Sequence, residues 1–283
     1  MVNLISFDGL NCYYDAVMSA AGTLGADYVA AFHNLWAETR FRYDPFRRRF
    51  VSRFMMANLD AMGYHLEKLD CKGPQGVERR LSMLSGGELL VVGMDAYYVP
   101  WNPFFGLIFG PHYFVVEYTR DDPLAAYDST YGYSGEPIPR SLLIDRACHL
   151  NVMRRCERTG LNIDSSAAIK SVAGSIPVHL EIMSKWLDRI QAGWQQGADP
   201  ASLYVECMIC NRKLFRRYLE QREPGVLSNM PVLDDNQFQQ WIAVKNGLKK
   251  TSIGRVSFRL MNEIRQTLTG LMDQELRAAR EYS

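Results

Sequence analysis

The chain has 283 residues, 32 Lys+Arg against 31 Asp+Glu, and a formal charge of +1, which excludes the strongly basic footprint of a general nucleic-acid binder. At 47% hydrophobic and 22% charged residues, the composition is that of a folded globular protein. No apolar run approaches the ~18 residues that span a bilayer, and the start MVNLISFDGLNC lacks the basic and long apolar regions of a secretion signal. These features predict a cytoplasmic protein with no membrane partner. Its six cysteines should be reduced, and they are too sparse for a disulfide scaffold.

From Cys12 to Trp36, apolar residues recur at helical spacing (Ala16, Val17, Ala20, Ala21, Leu24), with Gly22 and Gly25 interrupting. A second amphipathic stretch, Arg47 to Met62, ends at Gly63. Extended segments follow at Tyr64–Leu69, Glu88–Met94, His112–Thr119 and Ala125–Thr130. The third is a run of β-branched and aromatic residues and reads as a buried strand. Arg120-Asp121-Asp122-Pro123 is turn chemistry, so the third and fourth strands form a hairpin. The Pro/Gly/aromatic loop from Val99 to Gly106 is too apolar for open solvent and is expected to line a cleft. From about Gly160 the pattern is helical: Ile176–Trp194, Ala201–Glu220, Asp234–Asn246 and Ser252–Glu281. The fold class predicted is therefore α+β, with an antiparallel sheet in residues 1–160 and an all-helical region in 161–283.

Cys12 stands just before a helix, where unsatisfied amides and the helix dipole stabilise a thiolate. Packing is the competing role, since cysteine is among the most buried residue types. His112 opens the strongest strand, and Asp128 lies near the far end of the returning one. A hairpin brings the start of its first strand beside the end of its second, so the carboxylate can orient the imidazole. Asp121 and Asp122 are alternative carboxylates, but they fall at the turn. The order Cys, His, Asp in this context matches a papain-type nucleophilic site.

Four segments, Asn11-Cys12, Asp95 to Trp101, Gly110 to Tyr118 and Ala126 to Gly132, carry a resemblance. Over roughly residues 8–135 the chain is similar to the family of butirosin biosynthesis protein H, whose N-terminal domain is related to papain-like cysteine peptidases. The stretch Ala26–Asp44, with Phe41-Arg-Tyr43, resembles the family's segment after the nucleophile. The resemblance implies an acyltransferase that moves an acyl group from a carrier-protein thioester to an amine. Cys12 would be nucleophile, His112 general base then acid, and Asp128 orienter. It also implies an acyl or peptidyl carrier protein as partner, a small-molecule acceptor, and no cofactor beyond the carrier's phosphopantetheine arm. The setting implied is specialised-metabolite biosynthesis of the antibiotic type.

This sequence departs from papain-like peptidases at Ser6, where they place the oxyanion-hole glutamine six residues before the cysteine. Asn11, Asn3 or helix-start amides would have to serve instead. Tyr113 follows the histidine where a small residue is usual and is expected to crowd that face. Both departures favour thioester over peptide chemistry. Tyr97, Tyr98, Trp101–Phe105 and Tyr113 are candidate substrate walls, and Asp95 is a candidate amine-binding or turn residue. The cluster Arg40, Arg42, Arg47, Arg48 and Arg49 is a candidate dock for an acidic carrier, or a solvated helix start. Cys207-Met-Ile-Cys210 has metal spacing but sits in a helical pattern with no second pair, so no metal is predicted. A cysteine peptidase or thioester hydrolase of the same fold, and a non-enzymatic binding module, are the alternative readings.

Overall fold

Described in a computed structural model over residues 1–44, 49–157, 160–254 and 257–282, the chain is a mixed α+β protein. Its elements in chain order begin with α1 (Cys12–Thr23), β1 (Arg42–Asp44), β2 (Arg49–Val51), α2 (Phe54–Ala61), β3 (Tyr64–Lys68), α3 (Gly73–Ser82) and β4 (Leu89–Asp95). Next come β5 (Pro111–Glu117), β6 (Leu124–Asp128), β7 (Tyr133–Ile138), α4 (Arg140–Arg146) and β8 (Ala147–Arg155). Helices α5 (Ser165–Gln191), α6 (Ala198–Arg222), α7 (Pro224–Leu227), α8 (Asp235–Ile253) and α9 (Phe258–Glu281) complete it. No described helix is long and apolar enough to cross a membrane.

Two compact units divide the chain, one of Met1–Tyr28 with Leu59–Leu161 and the other of Val29–Asn58 with Asn162–Ser283. The return to the second unit falls near residue 160, where the change of sequence pattern places a boundary. The excursion of 29–58 differs from the expected contiguous division 1–160 and 161–283.

The first unit is built on a six-stranded antiparallel sheet of order β3-β8-β4-β5-β6-β7. In β5, alternate residues face opposite sides. Phe114 and Val116 join Leu90, Val92, Ala126 and Val152 in a core shared with Val77 and Leu81 of α3 and Leu143 of α4. Each such fully buried Val, Leu or Phe contributes about 1.5–3 kcal/mol. On the other side, α1 packs on β5 and β4, with Tyr113 of β5 edge-on to Tyr13 at 5.1 Å. That packing requires Gly93 of β4, where a Cβ would stand 2.6 Å from the Tyr113 ring. The segment β7, Tyr-Ser-Gly-Glu-Pro-Ile, is the polar edge strand, where Pro137 is tolerated.

The second unit holds the helices of the C-terminal half together with the excursion of 29–58. Phe50 of β2 packs on Trp186 of α5 and Tyr204 of α6, and Phe41 packs on His179 and Tyr204. Of the helix expected over Arg47 to Met62, Arg47 and Arg48 lie outside the described residues, Arg49–Val51 instead pair antiparallel with β1, and α2 begins only at Phe54. Buried Glu38 sets that start: its carboxylate accepts from the Arg53 and Phe54 amides, from Ser52 Oγ and, at 3.0 Å, from Asn211 Nδ2. At the centre, Glu275 receives Arg212 bidentately at 2.6 Å and the Trp36 and Trp241 indoles at 3.0 and 3.1 Å. Cys207 is buried on α6, one turn from Cys210, and burial pushes its thiol well above the ordinary range.

Candidate active site

Cys12 is the first residue of α1, half-buried and a free thiol. The helix starts there because the Asn11 side chain accepts from the Tyr13 and Tyr14 amides at 3.1 and 3.3 Å. Asn11, the expected oxyanion donor, thus spends its side-chain oxygen as the helix cap.

The hairpin delivers its two residues as the turn predicts. Val115 pairs with Tyr127 and Glu117 with Ala125, which carries the beginning of β5 alongside the end of β6. His112 Nε2 lies 2.6 Å from Asp128 Oδ2, with His112 4% exposed and Asp128 fully buried. The His112 ring also hydrogen-bonds Cys12. With Nε2 on the carboxylate, Nδ1 is the nitrogen left for the thiol. Burial alone would lower the His112 pKa, but the hydrogen bonds to Asp128 and Cys12 and the charge of Asp128 outweigh it and raise it to about 9. Asp128 is itself fixed, accepting from Trp101 Nε1 at 2.9 Å and from the Thr130 amide at 3.1 Å. The structure therefore brings Cys12, His112 and Asp128 together. Chemically, the arrangement supplies a thiol at a helix N-terminus, a protonated imidazole within reach, and a buried carboxylate holding the ring.

The other expected site residues fall differently. Trp101 is half-buried against Phe114, at 5.2 Å, and serves Asp128 rather than an open wall. Tyr113 is 2% exposed and turned to the α1 side, its hydroxyl 2.5 Å from His149 Nδ1. It therefore does not crowd His112, because neighbours on a strand point to opposite faces. Tyr98 lies under the Arg146 guanidinium at 4.3 Å. Asp95 Oδ1 accepts from the Tyr97 and Gly110 amides, both at 3.0 Å, and so ties the two ends of the apolar loop. That is the turn role, with one oxygen committed to backbone.

The loop itself does not line an enclosed cleft. Phe104 and Phe105 are exposed, and Leu107 and Phe109 reach 74% and 66% exposure. It is nonetheless well held: Gly106 N donates to Tyr97 O, Ile108 N to Phe104 O, and Phe109 stacks on Tyr97 at 4.4 Å. A cavity of about 270 Å3 elsewhere in this unit is lined by Leu69, Cys71, Val77, Cys148 and His149, among others, and by none of the three site residues.

Of the arginines, Arg40 and Arg42 are exposed and Arg49 is half-buried on β2, opposite Asp44. All three belong to the second unit. Arg47 and Arg48 lie outside the described residues. Among described residues, no cluster of His, Cys, Asp or Glu is arranged to hold a metal.

Sequence reasoning missed several neighbours of the site. Tyr131 lies with its ring 5.3 Å from that of His112. Asn102, 4% exposed, spends its Oδ1 on the Phe104 amide, and its side chain also interacts with the Tyr131 hydroxyl. Asp15 is buried one turn along α1 from Cys12. A polar residue three places after a helix-start cysteine was the available signal for Asp15; Tyr131 and Asn102 needed the fold. No protein-family model matches the chain, and no curated protein matches it in sequence.

Proposed function

We propose that this protein is a cysteine-nucleophile acyltransferase or chain-releasing enzyme of papain-like fold, using Cys12, His112 and Asp128. The carrying observation is the continuous contact from Asp128 through His112, at 2.6 Å, to Cys12 at the start of α1. A helix-start cysteine packed on an antiparallel sheet, with the histidine and carboxylate on adjacent strands, supports the papain-like reading of the fold.

In this reading the Cys12 thiolate attacks the carbonyl of a carrier-bound thioester. A new C–S bond forms, the old one breaks, and the carrier thiol leaves with the proton held by His112. An amine or internal nucleophile then attacks the acyl-enzyme, His112 takes its proton, and Cys12 departs as thiolate. The Cys12 backbone N–H at the helix start is the donor this reading assigns to the oxyanion. The residue at the peptidase-glutamine position, Ser6, has no side-chain amide, and its hydroxyl interacts with Asp15. A thioester, being more activated than an amide, tolerates that loss better, which ranks the peptidase reading second. The exposed apolar loop Phe104–Phe109 runs directly into Pro111 and His112 and suits an uncharged acyl group. Arg40 and Arg42 suit an acidic carrier, and reversing both charges is expected to weaken carrier binding.

The test is incubation with acyl-loaded carrier protein, followed by intact mass. The expected result is an acyl adduct absent from Cys12→Ala. An adduct that persists in that variant removes the nucleophile assignment. Peptide cleavage without an adduct supports the peptidase reading, and neither activity leaves a binding module.

A further inference from the structure

Asp15 is 3% exposed on α1, three residues after Cys12. Its Oδ2 accepts from Thr130 Oγ1 at 2.8 Å, while Oδ1 has no hydrogen-bond partner among the described residues. With only the Thr130 and Ser6 hydroxyls to offset its burial, this carboxylate is costly, so the position is poor as a purely structural choice. One turn further along the same helix, Ser19 Oγ lies 2.6 Å from Ser129 Oγ. Positions i and i+4 of the nucleophile helix are thereby tied to the two residues that follow Asp128. The site's other ionisable groups are Cys12 on α1, His112 on β5, Asp128 at the end of β6, and Tyr131 just beyond. Asp128 and His112 both interact electrostatically with Asp15.

We propose that Asp15 is a positioning residue for the Cys12–His112 pair: it fastens the nucleophile helix to the turn after Asp128, and its charge helps hold His112 as imidazolium. This rests on the reading of Cys12 and His112 as the reacting pair. Burial raises the Asp15 pKa to about 6, moderated by the Thr130 and Ser6 hydroxyls, with Asp128 adding to the rise and His112 opposing it. The carboxylate is therefore mostly ionised at neutral pH and neutral below about 5.

The experiment is the pH profile of Cys12 alkylation by iodoacetamide, read by peptide mass, in the wild type, Asp15→Asn and Thr130→Val. His112 titration is followed by NMR in the same proteins. The Asn side chain keeps the size and the acceptor for Thr130 but removes the charge. A lost negative charge favours the thiolate and disfavours the imidazolium, so both limbs should move to lower pH by about 0.5–1 unit. Thr130→Val, which leaves the carboxylate without its donor and so less ionised, should move them the same way by less. If Asp15→Asn does not fold, the Thr130→Val shift decides. A uniformly slower reaction with unmoved limbs overturns the proposal, since that is what mere loosening of the helix would give. Failure of the underlying reading looks different: Cys12 would then alkylate no faster than Cys148 or Cys156, which are exposed, in the wild type itself.

Discussion

Replacing Asp128 by Asn is the sharpest perturbation of the site. The variant keeps the shape of the side chain and an oxygen for Trp101, but removes the charge facing His112 Nε2 at 2.6 Å. A hydrogen bond to a charged partner contributes about 1.5–3 kcal/mol, and one pKa unit is about 1.4 kcal/mol. His112 titrates at about 9 in the wild type, against an ordinary 6.5. Without the carboxylate charge it should fall by about one to two units. At pH 8 the imidazolium then drops from near-full occupancy to half or less, and the Cys12 thiolate loses its counter-charge. The sign for stability follows. A histidine raised on folding stabilises fully below about 6.5, and that stability is lost as pH rises through about 9. In Asp128→Asn roughly half or more of this pH dependence should disappear, one to two units out of the rise from 6.5 to about 9. NMR titration of His112, together with pH-dependent alkylation of Cys12, measures both effects. Trp101→Phe is the control: it removes one donor to Asp128 but keeps the charge, so His112 should still titrate well above 6.5. If His112 in Asp128→Asn titrates where the wild type does, the assignment of Asp128 as the orienting, charge-supplying residue is refuted.

Two further predictions concern the framework. Gly93→Ala places a Cβ 2.6 Å from Tyr113 Cε1 and 3.1 Å from His149 Cβ, so it should cost about 1–3 kcal/mol by overpacking, seen as a lower urea midpoint; an unchanged midpoint would show that the ring moves freely. Arg212→Met leaves the 1%-exposed Glu275 without its counter-charge and should cost about 3–5 kcal/mol. The double variant Arg212→Met, Glu275→Gln should recover part of that in chemical denaturation, because it removes the uncompensated charge, although the one amide oxygen left at 275 can accept from only one of Trp36 and Trp241, which donate to different carboxylate oxygens. Equal losses in the single and double variants would contradict this account.

Much of the candidate site is legible in the sequence. Turn chemistry at Arg120–Pro123 and the apolar run after His112 imply a hairpin, and a hairpin brings the start of its first strand, at 112, close to the end of its second, at 128. Asn11 before Cys12 is a helix-start signal, and the helix begins there. Other parts were misleading. The apolar loop looked like a cleft wall because apolarity was the only cue, yet backbone hydrogen bonds to Tyr97 and Asp95 hold it with Leu107 and Phe109 in solvent. Tyr113 looked like an obstacle because it adjoins His112 in sequence, while the pleat turns it to the opposite face.

What the sequence determined by itself was local: where helices and strands begin, which residues share a hairpin, and which three side chains had the chemistry and order for a nucleophilic site. These follow from capping, periodicity and turn geometry, which act over a few residues. The tertiary structure alone decided the long-range matters. It joined 29–58 to the C-terminal helices, because Phe41, Phe50 and Glu38 find their partners on α5 and α6. It made Trp101 a donor to Asp128, 27 residues away. It also placed Asp15 beside Thr130, 115 residues away, with one oxygen unsatisfied. Contacts between residues so far apart depend on the packed sheet and helices, and no local pattern encodes them.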